Sequence, residues 1–584
     1  MMTMFNRQTL QTLVAGLAGL AMLAGLAGCN QAEWDDPEYI NKELKTADSI
    51  YRAVALRKLD TMEDEQQRKA IPGLVDTYLK GGPNADDAMK FLVRLRDEKA
   101  TDAYLKEMEE NNAGYPGQAA EALGELKVEK AVPKMLKLYK ESTDPSVQQA
   151  VLRGMEYMPD PSMIEPLVNT LKLDVDNYPI ALHSYSCDIL GDIAQKNPGE
   201  FGEAHIRTMV RAMYLSNIAG QNIKRECSLA IQKLGKPAVP ALMEVFRGEN
   251  KEVKKLMMTF AGGEGQFPMN RPKPTAVQRL VTLRAEDAVD PLMEWANQEH
   301  ALPETGVPKA EVRSWFRYEA QTIDEIILGL GDLRAQKAQD FLVDVLTGEM
   351  NEEWQGVLDP LLELQLRQDA GKALVRLGNR EAAGPLMKMA LEGVIKDLER
   401  RARFMEKSED MEPMDVLQRY QFNWMSAKLW ANLATGDQID DLNKLIGLEF
   451  LQGEKMKKVR ERLKEFKPML ELAKECMAKE SNDAKASCYG EGLESDNEYV
   501  REKAAWELSR LPKEASASIL NENLSTDHLG TREILELTLY ENGNKKTIET
   551  IGKILKDEAD ETADRYEIDR FRLRLLRAYL RNNL

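Results

Sequence analysis

Leu234-Gly235-Lys236-Pro237-Ala238-Val239-Pro240-Ala241-Leu242-Met243 is the stretch that decides the fold. A glycine just past a helix end takes the left-handed conformation that caps it, and Gly235 follows Leu234 in that way. Pro240 falls in the first turn of the next helix, where its missing N–H would have no partner anyway. Ala238, Val239 and Leu242 recur at helical spacing and give the second helix an apolar face. The stretch predicts helix, turn, helix.

The same order returns along the chain. Leu123-Gly124 precedes Ala131-Val132-Pro133-Lys134-Met135-Leu136, and Leu283-Arg284 precedes Ala288-Val289-Asp290-Pro291-Leu292-Met293. Leu330-Gly331 precedes Ala338-Gln339-Asp340-Phe341-Leu342-Val343, and Leu377-Gly378 precedes Ala382-Ala383-Gly384-Pro385-Leu386-Met387. Weaker copies sit at Leu59, Leu95, Met158, Leu190, Leu433 and Leu511. The steps are uneven: 28 residues from Leu95 to Leu123, then 49, 47 and 47 from Leu234 through Leu283 and Leu330 to Leu377. A two-helix unit cannot bury its apolar face alone, so neighbours must stack on it. Strand signals are nearly absent, so the predicted fold class is all-α.

This pattern resembles HEAT and HEAT-like repeats, including those shared with phycobilin lyases. The resemblance covers about Ser49 to Leu539 and implies an α-solenoid of the armadillo type. It is nearly silent on function. The expected organisation is a cleaved leader over 1–28, a lipidated cysteine with a short tether over 29–40, the solenoid over 41–540 and capping helices over 541–584.

The leader has its own signature. After Arg7 no charged residue occurs from Gln8 to Ala32, and the core of the run is Leu, Ala, Gly and Val. One positive charge before an apolar run is the signal-peptide pattern. The run ends in Leu26-Ala27-Gly28-Cys29, which resembles the bacterial lipobox. That resemblance implies cleavage before Cys29 and lipidation of that cysteine, palmitate included. The alternative is an uncleaved anchor, but the run is short and lacks a basic flank. Cleavage removes Arg7 and takes the net charge from -18 to -19. Asn30 and Gln31 follow the cysteine, and the absence of Asp there leans toward the outer membrane, facing the periplasm or the cell surface.

Composition excludes several classes. The chain has 584 residues, 30% charged, and is too polar for a multispan membrane protein. Its acidity argues against nucleic acid as partner. Four histidines, no Cys-x-x-Cys and no His-Glu-x-x-His leave no expected metal site, and no cofactor is expected. The histidines sit in no nucleophile context and most carboxylates read as solvated faces, so no catalytic residue is singled out.

Candidate surfaces follow from insertions, which solenoids place on one face. The Gly262–Pro274, Gln298–Arg313 and Lys396–Gln421 stretches are such insertions, and aromatics gather beside them: Trp295, Trp315, Phe316, Tyr318, Trp354, Trp424 and Trp430. Tryptophan is enriched at binding hot spots, although it also fills wide gaps between helices. Cys476 and Cys488 flank a helical hairpin and are a candidate disulfide; Cys187 and Cys227 read as buried free thiols. Arg570, Arg574, Arg577 and Arg581 line one face of a final helix, either a cap for the array or a contact for anionic lipid or an acidic partner. The preferred function is a non-enzymatic scaffold of the cell envelope that binds protein partners through its concave face. An envelope glycan lyase or hydrolase, and an assembly factor or chaperone, are the alternatives; the 28 methionines allow the last, though Met135, Met243, Met293 and Met387 sit at core positions.

Overall fold

The computed structural model describes residues 31–260, 269–300, 312–350, 354, 360–389, 421–448, 452, 454, 457–559 and 564–584. The leader, the lipobox and Cys29 lie outside the described residues, as do the central parts of the three insertions. Among the described residues every regular element is helical, with one isolated bridge between Ser216 and Asn222. The chain divides into two compact units, Met1–Leu190 and Gly191–Leu584. The fold is an all-α solenoid of helix pairs.

In the first unit α1 (Pro37–Thr46) packs on α2 (Ser49–Leu59) and α3 (Ile71–Lys80), and α3 on α4 (Ala85–Leu95). The array continues through α5 (Thr101–Glu110), α6 (Pro116–Glu125), α7 (Val132–Glu141) and α8 (Pro145–Glu156). Their starts are fixed locally: Asp36, Asp48 and Asp144 each accept a backbone N–H in the first turn, and prolines occupy the first turns of α1, α3, α6, α7 and α8. α6 and α8 approach closely because small residues meet: a Cβ on Gly124 would stand 2.2 Å from the Gly154 carbonyl oxygen.

The repeating turn is built differently from the sequence expectation. In both units a residue with positive φ is followed by a one-turn 3-10 helix that leads into the next helix. Gly235 (φ 78°) and Gly378 (φ 73°) fill the left-handed position as expected, and Arg284 (φ 54°) fills it without being glycine. Gly124 and Gly331 do not: both lie inside helices, and the left-handed residues are Lys127 and Arg334, three positions on. A left-handed non-glycine costs about 1–2 kcal/mol. The long side chains offset that cost through contacts beyond the turn; Arg334, for example, donates 2.8 Å to the Ser509 carbonyl and pairs with Glu541 at 3.0 Å.

In the second unit a ring of inner helices closes on itself. It runs through α9 (Lys224–Leu234), α11 (Lys273–Thr282), α12 (Val312–Asp332), α14 (Pro360–Leu377) and α15 (Gln421–Leu433). It continues through α18 (Glu498–Ser509), α19 (Leu529–Asn542) and α21 (Asp564–Asn583), and α21 packs back on α9 and α11. Helices α10 (Val239–Arg247), α13 (Gln339–Thr347), α16 (Lys467–Met477), α17 (Asn482–Leu493) and α20 (Lys545–Asp557) pack beside them. A ladder ties each turn to the unpaired carbonyls at the end of a neighbouring inner helix: Gln232 to Thr282, Arg284 to Asp332, Gln336 to Leu377 and Arg380 to Leu433. Asn582 seals the ring by donating to the carbonyls of Gln232 and Lys233.

Cys476 and Cys488 are bridged between α16 and α17, with their Cα atoms 5.5 Å apart. Cys187 and Cys227 are each oxidised in a disulfide, which corrects the expectation of free thiols. Whether a buried cysteine meets another sulfur depends on the axial offset of packed helices, and spacing along the chain does not encode that offset.

Candidate functional site

The aromatics expected on a binding surface are largely structural. Trp430 is fully buried in α15, and Trp354 is buried with its indole N–H donating 2.9 Å to the Ala296 carbonyl. Trp295 stands edge-on to Phe246 and His300, with the Lys273 ammonium 4.7 Å over its ring. Trp315, Phe316 and Tyr318 are half-buried at the start of α12. The side chain of Trp424 lies outside the described residues. The physical reason is the gap-filling role of tryptophan: long inner helices leave wide spaces, and only the largest side chains fill them.

Beside its apolar core, the second unit holds a pocket lined by charged groups. A pocket of about 150 Å³ lies among α11, α12, α14, α19 and α21, with Arg284, Arg376 and Arg572 facing Asp332, Glu533 and Glu536 across walls of Val281, Leu537, Tyr540 and Leu575. Arg376 pairs with Asp332 at 2.7 Å, and Arg572 donates 2.9 Å to Glu536. Glu536 is pushed well above the usual carboxylate range, first by burial and then by the neighbouring Asp569. Arg532 is wholly buried beside it, bonded to Asp569 at 2.7 Å and to Glu558 at 2.8 Å. Sequence reasoning missed this network, because arginines and acids at helical spacing on α12, α14 and α19 read as solvated faces.

Two carboxyls meet in the same unit. Asp324 of α12 and Asp369 of α14 face each other, and Lys372 donates to Asp369 at 2.5 Å. Burial and the facing Asp369 push Asp324 up to about 8, so at neutral pH Asp324 is largely protonated.

The four arginines of the final helix separate by role. Arg570 donates 2.6 Å to the Glu558 carbonyl at the end of α20, and Arg577 packs against Gly552 of the same helix. Arg574 and Arg581 are exposed. The basic face is therefore divided between structure and solvent. Arg572, which the spacing left out, belongs to the buried network.

The first unit carries a groove of about 350 Å³ between α2 and α4. Leu56 and Phe91 form its apolar wall, and Arg57, Lys90 and Arg94 face Asp60 and Asp87 around it. The Arg94 guanidinium lies 5.0 Å over the Phe91 ring, and Ile50 and Tyr51 are exposed at the start of α2.

No protein-family model matches the chain, and no curated protein matches it in sequence. Among solved structures it is similar to the karyopherin Kap121p. The form bound to Pho4p has a TM-score of 0.27 and 12% identity, over 92% of this chain and 60% of that one. The form bound to the extreme C-terminus of the protein phosphatase Cdc14p has a TM-score of 0.28 and 13% identity, over 93% and 58%. The form bound to Nup53p has a TM-score of 0.25 and 13% identity, over 91% and 60%. The chain spans about three-fifths of the length of these proteins. Its own helices and turns make it an α-solenoid of helix pairs whose second unit closes into a ring.

Proposed function

We propose that the chain is a lipid-anchored protein of the bacterial cell envelope that works as a non-enzymatic protein-binding scaffold. The anchor is Cys29, and the absence of Asp after it favours the outer membrane. The binding face is the α2–α4 groove of the first unit. The observation that supports this reading is the difference between the two units: the second fills its inner face with its own C-terminal helices, while the first presents a groove with an apolar wall. Its rim carries three cations against two carboxylates, so the partner segment has an apolar anchor side chain next to an acidic residue.

Crosslinking of the full-length protein in its own cells tests both parts. The wild type is expected in the membrane fraction with a discrete partner captured. Arg57→Glu/Lys90→Glu keeps the helical circular dichroism and the membrane location but loses the partner. Cys29→Ser releases the protein from membranes; unchanged retention refutes the anchor. Capture that survives the groove variant refutes the binding face. Turnover of purified cell-wall glycan that disappears in Asp324→Asn would replace the scaffold with a hydrolase working through the carboxyl pair.

A further inference from the structure

One buried cation in the second unit has no counter-ion within ion-pairing distance among the described residues. Arg279, on α11, is 8% exposed, and its Nε and Nη1 have no hydrogen-bond partner. Its company is aromatic: the guanidinium carbon stands 6.0 Å over the Phe571 ring of α21, with Tyr540 and Tyr214 in its field. Lys224, at the start of α9, is exposed, and partial desolvation together with the nearby Arg279 disfavours its charge. Among the described residues no carboxylate lies within ion-pairing distance of either cation. The acid in reach of both, Glu325, takes a 2.5 Å hydrogen bond from Gln278, and burial pushes its carboxyl up rather than down.

A guanidinium does not give up its proton, so burial cannot neutralise Arg279 as it neutralises a lysine or an acid. An unpaired buried charge is among the most expensive features a fold can keep. The charge is unsatisfied among the described residues, and the vacant donors point to a ligand that brings acceptors and negative charge. We propose that the buried Arg279, joined by the exposed Lys224, holds a small oxyanion, the phosphate or carboxylate group of a ligand, in the second unit. Phe571 covers the face of the guanidinium and leaves its in-plane N–H groups for the anion. Closure by α21 makes the site, because Phe571 arrives only with that helix.

The test is thermal unfolding of the full-length protein in non-ionic detergent. Sodium phosphate and sodium acetate are titrated separately against sodium chloride at equal ionic strength. At least one of the two is expected to raise Tm by several degrees and to saturate in the millimolar range; phosphate alone marks a tetrahedral oxyanion, acetate alone a carboxylate. Arg279→Met abolishes the saturable shift, and Lys224→Gln weakens it about tenfold with unchanged circular dichroism. General stabilisation by phosphate as an excluded salt would persist in both variants. A shift no larger than that of chloride, or one that survives in Arg279→Met, overturns the proposal. If Arg279→Met does not fold, wild-type affinity in Lys224→Gln overturns it.

Discussion

Lys503 is wholly buried in α18, and its ammonium donates to the carbonyls of Asn432 and Ala434 at 2.8 and 2.7 Å. It also pairs with Glu507 at 3.0 Å, and Arg510 and Arg380 each approach the same carboxylate to 2.8 Å. Burial alone would push Glu507 up, but Arg510, Lys503 and Arg380 outweigh it and hold the carboxyl at about 2, below its ordinary 4.5. A folded value below the unfolded one means stability that is fully present above about pH 4.5 and is lost as pH falls toward 2. Glu507→Gln should therefore flatten the fall of Tm between pH 5 and 2, and at neutral pH it should destabilise by about 3–5 kcal/mol, the cost of leaving buried cations unpaired. An acid limb as steep as the wild type's would refute the assignment. In the sequence Lys503 and Glu507 stand four apart on one helix, the spacing of an ordinary exposed pair. Only the helices packed over them turn that pair into a buried network.

Among the elements, the repeating turn shows how a correct pattern can carry the wrong cause. Leu-Gly recurs where helices end, and at Gly235 and Gly378 the glycine is the left-handed cap. At Gly331 the same dipeptide serves packing: a Cβ there would meet the Ala373 Cα at 2.5 Å. In an open helix, alanine in place of glycine gains about 1 kcal/mol of helix propensity. Gly331→Ala should instead destabilise by about 1–3 kcal/mol, the cost of overpacking a tight helix contact, measured by urea unfolding. A stabilised variant would show that α12 and α14 do not touch there. The sequence could not separate the two roles, because each needs the absence of a Cβ and only the neighbouring backbone says why.

At the scale of the second unit, the last helix completes the ring. Leu573, Leu575, Leu576 and Leu580 of α21 are buried, Arg225 of α9 pairs with Glu567 at 2.8 Å, and Arg532 of α19 depends on Asp569. Removal of residues 564–584 should expose apolar surface on several inner helices at once. The truncated protein is expected to lose its sharp thermal transition and to elute as aggregate on size-exclusion chromatography. A monomer that melts like the full chain would refute closure. The amphipathic last helix was legible from Arg570 to Arg581. That it covers the start of the ring as well as its end was not.

What the sequence by itself determined is local: helix pairs, the positions of their turns, their caps and their apolar stripes, and hence an all-α stack. These follow from periodicity and from glycine and proline chemistry, which act over a few residues. The tertiary structure alone decided that the stack in the second unit closes, that Trp430 and Trp354 are core rather than surface, and that Cys187 and Cys227 are oxidised. It also decided that Arg279 is buried with no carboxylate at ion-pairing distance among the described residues. Such outcomes depend on the small rotation and offset between successive repeats, which accumulate along the array. No single repeat encodes the sum, so a charged residue on an inner helix acquires its environment only when the ring is complete.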